Sequence, residues 1–123
     1  MDFSLDAWND LTGIPPNRVT ISWDFTPCTT MIDTTQSAKL ATKEGSNNWW
    51  FAFQVSNTLN PIATIKVLNK NSWINLDRQS YGFFQGSFGA GLTMPIVVEA
   101  TDSTGKIYSK TLSSIAADTV VDF

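Results

Sequence analysis

Period-two alternation, recurring in short runs between Gly, Asn, Asp and Pro, limits what this chain can fold into more than any other feature. Its clearest instance is KEGSNNWWFAFQVSN, residues 43–57. Phe51, Phe53 and Val55 fall on one side and Ala52, Gln54 and Ser56 on the other, the pattern of a half-buried strand. Strict alternation assigns Trp49 to the Phe51 face and Trp50 to the Ala52 face, so at least one indole is expected outside the core. Residues 44–48 are rich in Gly, Ser and Asn, which allows a bulge or twist that turns both rings to one side. Exposed rings side by side make a platform, and a platform needs a flat partner.

The same alternation organises most of the remaining chain. Residues 38–42 make a short strand, and residues 62–68 alternate with Ile65 and Val67 inward and Thr64 and Lys66 outward. Residues 69–72 supply a turn into residues 73–76, a hairpin by spacing and residue type. Tyr81 stands beside Gly82, outside any alternating run, and Gly86, Gly89 and Gly91 follow. Residues 94–101 and 106–112 flank the turn DSTG, and residues 120–123 supply a last strand. Seven or eight short strands at this spacing predict an all-β fold, a two-sheet antiparallel sandwich with Phe51, Phe53 and Trp73 in its core.

The first 37 residues read differently. Residues 4–12 form a helix with Ser4 as N-cap and Leu5, Trp8 and Leu11 on one face, stopped by Gly13 and Pro15-Pro16. Residues 18–25 alternate as a strand, with Val19, Ile21 and Trp23 against Thr20, Ser22 and Asp24. A helix and one strand cannot close a core, so residues 1–28 read as a short helix-strand extension, either the tail of a larger domain or a segment docked on the next one. Residues 29–37, rich in Thr, Asp, Gln and Ser without periodicity, are a linker, and residues 38–123 are the sandwich.

Composition excludes several functions. The chain has no histidine and one cysteine, Cys28. Histidine-based triads, Cys/His pairs and histidine metal sites are therefore out, as is an internal disulfide. No catalytic residue, metal or cofactor is assigned. Of the 11 acidic and 8 basic residues, Asp2, Asp6, Asp10 and Asp24 face only Arg18 within residues 1–28, and the remainder is neutral. A neutral domain gains little from counterion release, so nucleic acid and anionic membrane are poor partners. No window has the eighteen or so apolar residues of a membrane helix, and the N-terminus lacks the basic and apolar regions of a signal peptide.

The segment KEGSNNWWFAFQVSN, continued by NPIATIKVLNKNSWINLDRQSYGFF and VVEATDSTGKIYSKTL, resembles the second domain of expansins, most closely the microbial expansin-like proteins. The likeness rests on features in fixed order. A lysine stands six residues before paired tryptophans, Asn-Pro opens the next strand, and a hairpin carries Trp-Ile-Asn. A tyrosine follows eight residues beyond that tryptophan, before an Asp-x-x-Gly-Lys turn. Upstream, DFSLDAWNDL and GIPPNRVTISWDFTPC are similar to the end of the expansin first domain, a double-psi barrel, so residues 1–28 are expected to be its remnant.

The resemblance implies a non-hydrolytic, secreted, extracellular wall-loosening protein. Its sandwich would be an immunoglobulin-like antiparallel β-sandwich serving as a carbohydrate-binding module for cell-wall polysaccharide, cellulose or another β-1,4-glucan, acting as a monomer. Carried over by position, the binding row is Trp49, Trp50 and Tyr81, with Lys43 as a flanking polar contact, and the first-domain aspartate is Asp2. Each has a plainer local role beside it. The indoles can pack in the core, Tyr81 can satisfy its hydroxyl in a turn, and Lys43 beside Glu44 can be a solvated charge. Asp2 can serve the helix N-terminus, and Cys28 can be a buried free thiol. The competing function is an immunoglobulin-like protein-interaction module whose aromatic patch docks another domain or a second copy.

Overall fold

The N-terminal helix forms as its sequence signals require. In the computed structural model, which describes residues 4–24, 26, 27, 29 and 32–123, α1 spans Leu5–Thr12. Ser4 Oγ accepts from the Ala7 N–H at 3.3 Å. Gly13 ends the helix at φ +64° and donates to Asn9 O, a left-handed stop that glycine adopts without steric cost. Trp8 Nε1 donates to Ile14 O at 2.7 Å, tying the exit to the helix. Nothing in α1 is buried, and Leu5 and Leu11 are exposed. Asp2 and Cys28 lie outside the described residues.

The strand expected at residues 18–25 is not found, since residues 18–24 carry no strand structure and Phe25 lies outside the described residues. Val19, Ile21 and Trp23 are exposed. Alternation satisfies the side-chain half of a strand, but its backbone groups need a neighbouring edge. No sheet in the described residues includes this segment.

Residues 33–37 are fastened to the sandwich. The Asn57 side chain accepts from the Asp33 N–H and donates to the carbonyls of Asp33, Gln36 and Ser37 at 2.9–3.1 Å. Asp33 accepts in turn from Thr35 and Gln36. These bonds, that of the Thr35 hydroxyl first, hold its carboxyl below the usual carboxylate range.

Among the described residues nine strands follow: β1 Lys39–Thr42, β2 Trp50–Ser56, β3 Ile62–Asn69, β4 Ser72–Asn75, β5 Asp77–Arg78, β6 Phe84–Ser87, β7 Ile96–Asp102, β8 Ile107–Leu112 and β9 Thr119–Asp122. They form two antiparallel sheets, β5-β6-β2-β1-β9 and β4-β3-β7-β8, the expected sandwich. The core lies between them. Leu40, Phe51 and Phe53 from one sheet meet Ile65, Val67, Ile96, Val98 and Ala100 from the other, all essentially inaccessible. The chain changes sheets between β4 and β5 at buried Leu76, whose N–H donates to Ile65 O. The DSTG turn joins β7 to β8. Buried Asp102 accepts there through Oδ1 from the Thr104 N–H and hydroxyl and the Lys106 N–H.

Phe51 and Phe53 take their expected core positions, but Trp73 does not. In the β3–β4 hairpin Val67 pairs with Ile74 and Leu68 with Trp73. Val67 faces the core, so Ile74 does too. Trp73, one residue away, points to the opposite face and is 45% exposed. Lys66 Nζ sits 4.4 Å from its ring centroid, a cation–π contact on the outside of the sheet.

The tightest constraint on β2 is Gly86, which pairs with Phe51. A Cβ at Gly86 would stand 2.6 Å from Leu76 Cδ2 and 2.9 Å from Phe51 Cε2. Gly86→Ala should therefore destabilise the fold by roughly 1–3 kcal/mol through overpacking. Equilibrium urea unfolding checks this; an unchanged midpoint would show that the core gives way around the methyl group.

Candidate functional site

The loop that leads into β2 decides where the two tryptophans go. β1 continues one residue past its end, because the Lys43 N–H donates to Ala52 O at 2.9 Å. The chain then turns back. The Ala52 N–H, which an unbroken ladder would pair with a backbone carbonyl, is taken by the Ser46 hydroxyl at 3.2 Å, and Ser46 is buried there. Asn47 closes the turn. Its Oδ1 accepts from the N–H groups of both Trp49 and Trp50, its Nδ2 donates to Gly45 O, and its own N–H donates to Trp50 O.

This cap makes Trp50 the first residue of β2 and leaves Trp49 ahead of the strand. Alternation with Phe51 therefore does not pull Trp49 into the core. Its indole is 62% exposed. The loop after β6 supports it: Phe88 donates its N–H to Trp49 O, Leu92 donates to Asn48 O, and a Cβ on Gly91 would lie 3.2 Å from Trp49 Nε1. Trp50, paired with Ser87, points to the outer face of the five-stranded sheet and is half-buried.

The register gathers further side chains on that face. Lys43 stands opposite Ala52, Ala52 pairs with Gln85, and Gln85 pairs with Asp77. Lys43, Ala52, Gln85 and Asp77 thus form one outward row beside Trp50. Ala52 has no accessible surface although it points outward, so its neighbours close over it. Tyr81 reaches the row from the loop before β6, where its hydroxyl donates to Gln85 Oε1 at 2.8 Å. Its ring is 49% exposed and lies 6.1 Å from that of Phe83. Gly82, at φ +87°, brings the backbone against Gln54, and a Cβ there would stand 3.2 Å from its amide nitrogen.

Lys43, Trp50 and Tyr81 therefore converge on one end of the outer face, and Trp49 flanks it from the head of β2. Asp2, the remaining expected position, lies outside the described residues. Sequence reasoning missed Gln85, Asp77 and Asn47. Gln85 and Asp77 become neighbours only through pairing registers. Asn47 carries a local signal, an Asn-rich turn before a strand, that marks a turn without saying which amides it caps. Among the described residues no group of three or more His, Cys, Asp and Glu side chains is placed to hold a metal ion. A cavity of about 410 Å³ lined by Asp33, Asn57, Lys106, Tyr108 and Phe123 sits at the opposite end of β1 and β2.

If Asn47 sets the exit of the tryptophans, Asn47→Ala should cost about 1 kcal/mol and speed amide exchange at Trp49 and Trp50 while the core amides stay protected. Hydrogen exchange followed by NMR reads this directly. Unaltered protection at both amides would remove Asn47 from the account.

No family model matches the sequence. Among curated proteins, Expansin-YoaJ of Bacillus subtilis (strain 168) is 26% identical over 116 residues, which is 94% of this chain and 47% of the relative. Among solved structures, the apo form of Clavibacter michiganensis expansin matches at TM-score 0.64 and 26% identity, covering 72% of this chain and 43% of that one. A mutant of the same expansin, solved in complex with cellohexaose, matches at TM-score 0.63 and 26% identity over 71% of this chain and 43% of its own. The chain thus spans about half the length of these relatives.

Proposed function

We propose that this chain carries an expansin-type domain and that it binds cellulose or a related β-1,4-glucan, without cleaving it, through Trp49, Trp50 and Tyr81, with Lys43 as a flanking polar contact. The observation that carries this reading is the gathering of Lys43, Trp50 and Tyr81 at one end of the sheet's outer face, with exposed Trp49 beside them. A Clavibacter expansin of the same fold, solved with cellohexaose, supports it.

The chemistry fits the substrate. The axial C–H face of a β-glucan ring is apolar and lies flat on an aromatic ring, contributing ~25 cal/mol per Å² buried together with a favourable ring-face electrostatic term. Gln85, Gln54 and Lys43 border the rings with groups that hydrogen-bond sugar hydroxyls. Hydrolysis would need two carboxyl groups flanking the scissile bond. The outward row has one, Asp77. The module acts at the cell wall, as part of a secreted expansin-like protein. Residues 1–28 belong to the end of the first domain, residues 29–37 to the linker, and residues 38–123 to the binding module.

Pelleting on microcrystalline cellulose tests the assignment. Trp49→Ala with Tyr81→Ala removes two exposed rings and leaves the core intact, and should weaken binding roughly tenfold or more. Added salt should leave the unsubstituted chain's binding nearly unchanged, because apolar contact rather than charge drives it. Undiminished binding by the folded double variant would refute the site, and release of reducing sugar by the unsubstituted chain would refute the non-hydrolytic reading.

A further inference from the structure

The sheet on the other side of the sandwich exposes a tryptophan that neither the core nor the proposed platform uses. Trp73 lies on β4, an edge strand, pointing outward. Pairing registers place it at the head of a row that crosses the strands: Trp73 opposite Leu68, Leu68 opposite Val97, and Val97 opposite Thr111. A second outward row runs alongside, in which Asn75 stands opposite Lys66, Lys66 opposite Glu99, and Glu99 opposite Ser109. One row is mostly apolar and the other polar throughout.

The polar row is already organised. Lys66 Nζ is 2.6 Å from Glu99 Oε1 and 4.4 Å from the Trp73 ring centroid. One ammonium thus fixes the indole's orientation while Glu99 cancels its charge. Trp73, Asn75, Ser109 and Thr111 on the outer strands are exposed, and Lys66, Leu68, Val97 and Glu99 between them are half-buried.

We propose that this outer face of β4-β3-β7-β8 is a second glycan-binding strip, which takes a single neutral β-linked glycan chain lying across the strands. Strands stand about 4.8 Å apart, close to the length of one pyranose residue, so the polar row offers a hydrogen-bonding group at nearly the repeat of an extended glycan. The apolar row receives the C–H faces of the same sugars, with Trp73 stacking one of them. The cancelled Lys66–Glu99 charge matches a neutral chain rather than an acidic one. One ring beside four polar groups suits the hydroxyls of a separate chain, where several coplanar rings suit a crystalline surface. The strip faces away from Trp49, Trp50 and Tyr81, and does not rest on the role proposed for them.

The test uses the full chain carrying Trp49→Ala and Tyr81→Ala, so that failure of the platform reading cannot mask the result. Cellohexaose and xylohexaose are titrated separately in ¹⁵N NMR. Saturable shifts at the Trp73 indole N–H and at the amides of residues 66, 97 and 99, with either probe, are expected. Adding Trp73→Ala should weaken them roughly tenfold or more, and Trp73→Phe should restore part of the binding. Thr111→Glu, at an exposed position in the apolar row, should weaken them without touching the indole. Absence of shifts on this sheet with both probes overturns the strip, as does binding that survives both Trp73→Ala and Thr111→Glu.

Discussion

The seating of Phe51 and Phe53 between the two sheets is the constraint on which the rest depends. Both side chains are inaccessible, and their ring centroids lie 5.8 Å apart. Phe51 is accommodated because its cross-strand partner is Gly86, with no side chain to compete for the space. Phe53 packs in register with Thr42 on one side and Phe84 on the other. A slip of one residue would turn every side chain of β2 over, driving Trp50 and Gln54 into the core and both phenylalanines into water. The chemistry available on the outer face is thus set from inside the molecule.

Trp49 escapes that logic, and the reason is local. The Ser46 hydroxyl replaces a backbone carbonyl as partner of the Ala52 N–H, so the β1–β2 ladder ends early. Asn47 then gathers the amides of Trp49 and Trp50 onto one side-chain oxygen. A residue that precedes the strand is not bound to its alternation. The polar, small-residue turn therefore allows two adjacent indoles to stand outside the core where a regular strand would have hidden one.

Much of this was legible in the sequence. The helix over residues 5–12 follows from Ser4 and Gly13. Most of the strands follow from alternation and turn residues, and the DSTG turn from an aspartate able to cap its own loop. The pairing of distant strands was not legible. Nothing local says that Gln85 lies across from Ala52, that Asp77 continues the same row, or that Tyr81 will spend its hydroxyl on Gln85. The row depends on the pairing of β2 with β6, which joins residues some thirty positions apart, and the Tyr81–Gln85 contact, though only four residues apart, gains its place on that face from the same pairing. Trp73 failed for a related reason. Its size argued for the core, but its face is dictated by Val67 across the hairpin, and that choice went to Ile74.

Trp73 and residues 18–24 expose the same limit from two directions. Alternation divides a segment into two faces without saying which one is covered, or whether a neighbouring edge exists. In β4 the edge exists, and the hairpin register hands the outward face to the largest side chain. In residues 18–24 the apolar face of Val19, Ile21 and Trp23 is as well formed in sequence as that of β2, yet no sheet among the described residues receives it. A strand is a relation between two backbones, so a segment can carry every side-chain signal and still remain outside a sheet. The exposed Leu5 and Leu11 on α1 repeat the point for a helix, since caps start and stop it but only a packed neighbour covers its apolar face.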